Sequence, residues 1–469
     1  MLDTNETPDQ TVARLIEAQR EGNTSFPDAA LRKDRLDRTI DLLRQNADAI
    51  CDAVSADFGH RPAGITKLAG IGQSIAALKH NRRHIDGWMK PEPVKTEAML
   101  AIIGARSKII RQPKGVIGNI VPWNYPVFLT FTPLAGMLGA GNTVVIKPSE
   151  HTPAYADLLA ELIGKRFDQT EVTVTTGGTE IGKAMSAAPF DHLFFTGSSA
   201  VGKHVMRACA DNLTPVTLEL GGKSPAIVSK SADIAMAARR VMHSKVFNAG
   251  QTCVAADYAL VQHDQVDAFI EACKVAVAAM LPTFEVGSDL TSQIHTRQFD
   301  RLVELLETSG TEPIHLHPQG KLNRDDRLFP PIALKNPNLN AAVMTEEIFG
   351  PILPVIGVEN FDHALSIIAK RDHPLALYYF GTDKSEQARI EADTTAGGIT
   401  INDTILHISQ DTLPFGGVGA SGIGRYHGKH GFDEFSHIKS VLHASRSRLA
   451  ELHFPPYRVA MRWLLKTRL

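Results

Sequence analysis

Cys253 is the residue with the clearest capacity for covalent chemistry. Small and polar residues precede it (residues 248–252), and Val254 follows. This setting leaves a thiol reachable, and a helix that begins beside it would lower the pKa of the thiol. A lone cysteine is more often an inert buried side chain. The other cysteines fit that second interpretation, since each lies in a helix-like stretch with apolar neighbours: Cys51, Cys209 and Cys273.

Two polar residues have surroundings that suit catalysis. Glu219 stands between two leucines at the end of an apolar run, and burial there would raise the pKa of its carboxyl into the range of a general base. A surface-facing strand residue is the alternative for Glu219. Asn124 lies between Pro122 and Pro126, and a rigidly held amide is able to donate to an oxyanion. The alternative for Asn124 is an ordinary turn residue.

A phosphate-binding turn is indicated at residues 196–203. The segment follows a strand, contains Gly197 and opens a helix, whose free N–H groups attract anions. It lacks the G-x-G-x-x-G pattern and is a weak dinucleotide signal by itself. Upstream, Lys147 and Glu150 end another strand of the same predicted sheet. They would bind ribose hydroxyls or form a solvated loop pair.

The elements that must position these residues alternate between strand and helix after Pro113. Nearly continuous apolar strands with helices between them predict an α/β fold with a parallel sheet covered on both faces. The first hundred residues read as helices, and the spacing from Leu36 to Val54 predicts one long amphipathic helix. A second series begins at Val216 and runs to about Asn402. The first series has predicted strands at 115–121, 143–146, 172–174 and 192–195, and helices at 155–165, from 180 and near 199.

Residues 98–112 read as extended chain that would pair with a β-rich segment near the C-terminus. An exposed strand pair of this kind is a candidate dimer edge. The predicted organisation is a cofactor domain with N-terminal helices (1–97 and 113–220), a catalytic domain (221–402), a β oligomerisation arm (98–112 and 403–445) and a basic amphipathic tail (446–469).

Composition excludes several classes of protein. Lys and Arg (49) nearly balance Asp and Glu (51), which argues against a nucleic-acid binder. Four scattered cysteines predict neither a disulfide framework nor a metal site, and they favour a reducing, cytoplasmic location. No apolar stretch is long enough for a membrane helix. The basic tail favours packing on the chain itself or on a partner subunit, with weak contact to an anionic membrane surface as the alternative.

Taken together, the motifs resemble those of the aldehyde dehydrogenase superfamily. Seven segments occur in the family's order between about residues 30 and 440, and the separation of Glu219 and Cys253 (253 − 219 = 34) is also the family's. Pro133 and the Tyr426-His427-Gly-Lys segment are similar to the class 3 branch, which includes fatty-aldehyde and bacterial coniferyl-aldehyde dehydrogenases. The resemblance implies a Rossmann-like cofactor domain, a catalytic domain and a β arm. The seven segments are WNYP, KPSE, FTGSSAVGK, LELGGKSP, FNAGQTC, EEIFGP and LPFGGVG.

The resemblance also implies roles. Cys253 would attack the aldehyde, the Asn124 amide and the Cys253 N–H would hold the oxyanion, and Glu219 would activate water to hydrolyse the thioester. Tyr125 and Phe415 would flank the aldehyde. The expected cofactor is NAD, with NADP possible. A carboxylate at Glu150 favours NAD, because it repels a 2′-phosphate. The residues implied for cofactor binding are Lys147, Glu150, Gly197, Ser198, Gly202, Leu220, Glu347 and Phe349.

Alternatives remain open at this point. A CoA-acylating dehydrogenase would pass the acyl group to CoA, although Glu219 argues against it. A cysteine esterase or acyltransferase would need only Cys253 and an oxyanion donor, and would leave the nucleotide segment idle. A binding protein that has lost catalysis is the third alternative. The aldehyde, aromatic or fatty, is left undecided, and the resemblance implies a homodimer.

Overall fold

The computed structural model describes residues 6–22, 25–448, 451 and 454–456. Helices fill most of the first ninety residues and then alternate with strands. No helix in these ranges is long and apolar enough to span a bilayer. The helices are α1 (Pro8–Gly22), α2 (Ala29–Gln45), α3 (Ala47–Phe58), α4 (Ala63–Ile65), a π-helix (Thr66–Gly72), α5 (Gln73–Trp88), α6 (Ala98–Ile102), α7 (Pro126–Ala140), α8 (Pro153–Gly164), α9 (Thr179–Ala187), α10 (Ser199–Ala210), α11 (Ile234–Val246), α12 (Val266–Met280), α13 (Thr296–Glu307), α14 (Ala342–Thr345), α15 (Phe361–Ala369), α16 (Lys384–Asp393) and α17 (Gly428–Glu434).

The strands form three sheets. A six-stranded sheet has the order β15-β7-β6-β3-β4-β5, a seven-stranded sheet has the order β10-β11-β12-β9-β8-β13-β14, and β1, β2 and β16 form a small third sheet. The strands are β1 (Glu92–Val94), β2 (Arg106–Pro113), β3 (Val116–Ile120), β4 (Thr143–Lys147), β5 (Val172–Val174), β6 (His192–Thr196), β7 (Val216–Glu219), β8 (Pro225–Val228), β9 (Tyr258–Gln262), β10 (Pro313–His315), β11 (Ile332–Lys335), β12 (Ile352–Val358), β13 (Ala376–Phe380), β14 (Gly398–Ile401), β15 (Gly422–Ile423) and β16 (Ser436–His443).

The predicted α/β class with parallel sheets is confirmed. β3 to β7 run parallel, and only the short edge strand β15 is antiparallel in that sheet. β3, β4 and β6 are buried along their whole length, as expected when helices cover both faces of a parallel sheet. The carboxyl ends of these strands meet at one edge, which is where open α/β sheets bind ligands.

Two elements bring the candidate residues to that edge. α7 begins at Pro126, directly after Tyr125, and is buried along its whole length, so the turn before it is held against the core. The loop between α11 and β9 carries Cys253. Asn248 and Ala249 in this loop have φ near +50°, a conformation that non-glycine residues rarely adopt outside functional turns.

The helical region differs from its prediction, because the expected long helix is two helices. α2 ends at Gln45 and α3 begins at Ala47, with Asn46 between them at φ −118° and ψ 19°. The Asn46 amide donates to the carbonyl of Leu42 at 2.8 Å. Side-chain hydrogen bonding to nearby backbone is the usual reason for asparagine to end helices. The apolar spacing continues across the break, which is why the pattern alone predicts a single helix.

The predicted β arm is smaller than expected. β2 does pair with β16, but residues 98–102 form α6, where the Glu97 side chain accepts from the first-turn N–H groups. Between residues 403 and 435, β15 pairs with β7 and α17 packs on α7. The strand beginning at Val216 belongs to the first sheet. Most of the predicted basic tail lies outside the described residues.

Candidate active site

Cys253, Glu219 and Asn124 line one cavity of about 550 Å³ at the carboxyl edge of the first sheet. Phe415, Leu220 and Tyr426 also line it. A second cavity of about 300 Å³ shares Cys253 and Asn124 with the first. The thiol therefore stands where two cavities meet, and groups entering from either side would reach it.

The Asn124 backbone is held by buried donors. Its carbonyl accepts from Arg61 Nη1 at 2.5 Å and from Asn248 Nδ2 at 3.1 Å. Its own side-chain Nδ2 donates to the Gln251 carbonyl at 3.1 Å. The Arg61 guanidinium lies 4.7 Å from the ring centroid of Tyr125. A rigid amide is thus fixed next to the loop that carries Cys253.

Glu219 ends β7 as a buried carboxyl, with 3% of the residue exposed. Neither carboxyl oxygen has a hydrogen-bond partner among the described residues. Burial raises the pKa of Glu219 well above its usual value, and the negative charge of Glu434 raises it further. A carboxyl of this kind gains or loses a proton near neutral pH more readily than a solvated one, which suits a general base.

The Cys253 thiol has a raised pKa, contrary to the sequence-based expectation. Burial is the main cause, followed by the negative charges of Glu347 and Glu219, and the N–H groups of Cys253 and Val254 offset these only in part. No helix begins beside Cys253, because a turn connects it to β9. The thiol must therefore lose its proton before or as it attacks. The other three cysteines are buried free thiols, as predicted.

One end of the larger cavity has the features of a nucleotide site. Gly197 and Ser198 line it, and Ser198 caps α10, where its side chain accepts from the Val201 N–H. A Cβ on Gly202 would lie 2.7 Å from Leu220 Cδ2, so this glycine lets α10 approach β7. Free N–H groups at the start of a helix attract phosphate. Thr196 Oγ1 is buried without a hydrogen-bond partner among the described residues, and this donor set fits a dinucleotide.

Glu347 and Phe349 line the cavity opposite α10. Glu347 Oε1 is buried and has no hydrogen-bond partner within the described ranges. Burial and the nearby charge of Asp257 raise the pKa of Glu347 to about 8. Gly221 allows this arrangement, because a Cβ there would lie 2.0 Å from Glu347 Oε2.

Lys147 and Glu150 lie at the same sheet edge but do not line the cavity. They form an ion pair of 2.6 Å, in which Lys147 is buried and Glu150 is partly exposed. Val121, which follows β3, donates its N–H to the Lys147 carbonyl at 2.9 Å. The pair is thus fixed beside the segment that leads to Trp123.

The smaller cavity is an apolar tunnel that ends at the thiol. Tyr125 forms part of its wall, and its hydroxyl is 3.0 Å from Thr252 Oγ1. Phe415 lies instead in the larger cavity, between the rings of His407 and His427. The tunnel lining includes Leu68, Tyr125, Phe128, Leu129, Phe247, Val254, Ile405, Leu406 and Ile408.

Sequence reasoning missed most of this tunnel. Leu68 belongs to the π-helix and Ile405 has φ +65°, and neither feature leaves a periodic signal in the sequence. Tyr426 is indicated only by a segment similar to class 3 relatives, and Arg61 is not among the predicted site residues. Arg61 is a charged residue after an apolar helix, and nothing in that pattern indicates that its side chain is buried against Asn124.

Comparisons with known proteins agree with this site. The model of the aldehyde dehydrogenase family matches residues 3–441. A coniferyl aldehyde dehydrogenase of Pseudomonas sp. strain HR199 is 48% identical over 417 residues, which cover 88% of this chain and 86% of that protein.

Solved structures share the fold over nearly the whole chain. The substrate-bound Staphylococcus aureus AldH has a TM-score of 0.92 and 35% identity, covering 98% of this chain and 99% of that chain. A Mycobacterium tuberculosis aldehyde dehydrogenase in complex with NAD+ has a TM-score of 0.84 and 30% identity, covering 94% and 91%. The family expected from the motifs is confirmed: the chain belongs to the aldehyde dehydrogenase family, and it oxidises aldehydes with NAD(P) as the electron acceptor.

Proposed function

We propose that the chain oxidises its aldehyde through a thioester on Cys253 that Glu219 hydrolyses. The observation that carries this proposal is the position of Cys253 at the junction of the two cavities, with Glu219 and Asn124 in the larger one. The tunnel would deliver the aldehyde carbon to the sulfur. The larger cavity would hold the nicotinamide and the hydrolytic water.

The first step is addition of the thiol to the carbonyl. The Cys253 sulfur bonds to the aldehyde carbon, and the thiol proton passes to water and then to solvent. The oxygen becomes an oxyanion, which the Asn124 amide and the Cys253 N–H stabilise. For this, Asn124 Nδ2 exchanges its bond to Gln251 for one to the substrate. Donors preorganised at a developing oxyanion are among the largest contributions to catalysis.

The cofactor is proposed to lie between α10 and the loop of Glu347. Lys147 and Glu150 would bind the adenosine ribose, Gly197 and Ser198 the pyrophosphate, and Glu347 the nicotinamide ribose, with Phe349, Leu220 and Gly202 shaping the space. The chemistry that NAD supplies when bound is acceptance of a hydride from the adduct on Cys253. Glu150 supports a preference for NAD, because its carboxylate repels a 2′-phosphate.

Hydrolysis of the thioester then falls to Glu219. The carboxylate removes a proton from water, the water oxygen bonds to the acyl carbon, and the carbon–sulfur bond breaks to release the acid and the Cys253 thiolate. A buried carboxylate beside the thioester also argues against transfer of the acyl group to CoA.

For the substrate we propose an aryl aldehyde of the coniferyl type. The relative from Pseudomonas carries that name, and Tyr125, Phe128 and Phe247 supply aromatic walls beside Cys253, which favour an aromatic ring by offset or edge contacts. Tyr125 and Phe247 are themselves stacked, with ring centroids 6.3 Å apart.

A panel of aldehydes tests this choice. We expect kcat/KM for coniferaldehyde to exceed that for benzaldehyde and for octanal when NADH formation is followed by absorbance. The acid should be the product in the presence of CoA. Higher kcat/KM for octanal would move the substrate to fatty aldehydes, and an acyl-CoA product would refute the role of Glu219.

We also propose a homodimer. β16 forms an edge of the small sheet, and Ile438 and Leu442 on it are 53% and 54% exposed. Apolar side chains on an exposed edge strand favour pairing with a second copy.

The free state of all four cysteines supports a reducing compartment.

A further inference from the structure

A continuous hydrogen-bond chain crosses the first sheet on the side of β7. Lys114 Nζ is 3.0 Å from His192 Nδ1. His192 Nε2 is 2.8 Å from Thr217 Oγ1, and Thr217 Oγ1 donates to Glu434 Oε1 at 2.6 Å. The chain joins an ammonium group before β3 to a carboxylate on α17 through one imidazole and one hydroxyl.

The donor and the acceptor of every hydrogen bond in this chain can be assigned. An ammonium group only donates, so His192 Nδ1 accepts from Lys114. Burial and the charge of Lys114 hold the pKa of His192 well below its usual value, so the ring is neutral and its proton is on Nε2. His192 therefore donates to Thr217, whose own proton goes to Glu434. Such a chain is polarised in one direction, from cation to anion.

The carboxylate that ends this chain lies on the side of β7 from which the proposed base projects. Thr217 and Glu219 are two residues apart on β7, so their side chains leave the same face of the sheet. Both are buried, at 0% and 3% exposure. Gly424 leaves room for the contact, because a Cβ there would lie 2.8 Å from Glu434 Oε1. Glu434 is partly exposed, so solvent screens part of its interaction with the buried Glu219.

Other ionisable groups around Glu219 do not offset Glu434. Glu434 on α17 is the charge that raises the pKa of Glu219. Glu219 in turn raises the pKa values of Cys253 and of Tyr426 after β15. All of these groups are neutral or negative. Lys114 is the cation coupled to Glu434, and it lies at the far end of the hydrogen-bond chain.

We propose that Glu434 is a positioning residue for hydrolysis: the hydrogen bond from Thr217 fixes its carboxylate on the side of β7 from which Glu219 projects, and its negative charge there tunes Glu219 as the hydrolytic base. This inference rests on the proposed role of Glu219. It assigns to Thr217 and His192 the task of holding Glu434 in place, and to Lys114 that of the cation that partly offsets its charge.

The test is the pH dependence of acyl-enzyme decay. A burst of NADH marks formation of the thioester, and the slower steady rate reports its hydrolysis. In Glu434→Gln the acid limb of the hydrolysis rate should move down by about one pH unit, as expected for loss of a unit charge roughly 10 Å away in a partly buried site. The burst amplitude at neutral pH should be retained.

Two further variants make the result specific. Asp433→Asn removes the same charge from the same helix, but Asp433 contacts Arg111 and Lys429, so the acid limb should stay in place. Lys114→Met leaves Glu434 without its cation, and the limb should move up by a fraction of a pH unit. Opposite shifts from Glu434→Gln and Lys114→Met are not expected from general loss of folding.

The inference is overturned if the acid limb of the pH profile for hydrolysis stays in place or moves to higher pH in Glu434→Gln. It is also overturned if that limb moves to lower pH in Lys114→Met. Glu219→Gln separates this failure from failure of the proposed function. If Glu219→Gln hydrolyses the thioester at the normal rate, the proposed base is wrong. If it does not, and Glu434→Gln is silent, only the role of Glu434 is lost.

Discussion

At the scale of single residues, burial controls the ionisation of the groups that carry the chemistry. The pKa values of Cys253 and Glu219 are both raised, mainly by loss of solvent. The Cys253 thiol must therefore lose its proton before or as it attacks a carbonyl carbon.

Burial also affects residues behind the site. His427 is 4% exposed, and neither of its ring nitrogens has a hydrogen-bond partner among the described residues. Burial, with a contribution from His407, lowers the pKa of His427 to about 3. The ring is therefore neutral in the folded protein, packed face to face with Phe415 at 5.3 Å.

This histidine should make the protein sensitive to acid. In the unfolded chain the histidine has a pKa of about 6.5 and binds a proton below that pH, whereas His427 in the folded protein stays neutral. The free energy of unfolding therefore falls as the pH drops from 6.5 toward 3. When the pH falls from 7.5 to 4.5, the free energy of unfolding, measured in urea, should decrease in His427→Phe by about 2 to 3 kcal/mol less than it decreases in the wild type. His437→Phe, at an exposed position on β16, is the control, and equal losses in His427→Phe and the wild type would contradict the argument.

At the scale of elements, the turn after β7 and the loop after α14 form the end of the cavity that is proposed to hold the nicotinamide. Arg301 fixes this loop by donating to the Ile348 carbonyl at 2.9 Å and to the Glu347 carbonyl at 2.6 Å. The approach of the loop to the turn requires glycine at position 221, where a Cβ would lie 2.0 Å from Glu347 Oε2.

Gly221→Ala should therefore displace the Glu347 carboxylate and weaken cofactor binding. We expect KM for NAD to rise about tenfold or more, with a smaller effect on hydrolysis of an activated ester by Cys253. Gly222→Ala is a matched control, since a Cβ there would meet its nearest atoms at 3.4 Å, an ordinary contact. Equal KM values in the two variants, measured by initial rates, would show that the close approach is unimportant.

The sequence predicts these elements unevenly. The strands Thr143–Lys147 and His192–Thr196 are predicted to within one residue, because a buried parallel strand is a nearly continuous apolar run. The break at Asn46 and the two-residue strand Gly422–Ile423 are not predicted, since one depends on a single side-chain hydrogen bond and the other on pairing with β7 about 200 positions earlier. The contact of Glu434 with Thr217 has the same long-range character, and no local pattern reports it.

At the scale of the whole molecule, two parallel-stranded sheets enclose the cavity, and the small third sheet extends β16 to the surface. The proposed cofactor residues come from the first sheet and from the loop that precedes β12. The catalytic loop joins α11 to β9. Chemistry at the cavity thus depends on the fixed packing of both sheets, and not on a single local motif.

The exposed apolar residues of the edge strand β16 lead to a prediction about assembly. The double variant Ile438→Lys and Leu442→Lys should convert a dimer into a monomer, because two charges would be buried at the pairing edge. Light scattering after gel filtration measures the mass. Lys439→Glu, on the other face of the strand, is a control that should remain dimeric, and an unchanged mass in the double variant would place the interface elsewhere.

The central claim is that the acyl group is carried by Cys253 and released by Glu219. Mass spectrometry of Glu219→Gln after mixing with NAD and coniferaldehyde tests it most directly. We expect an adduct equal to the aldehyde less two hydrogens, on the peptide of Cys253 and on none of the other three cysteines. NADH formation without that adduct, or an adduct on Cys51, Cys209 or Cys273, would contradict it.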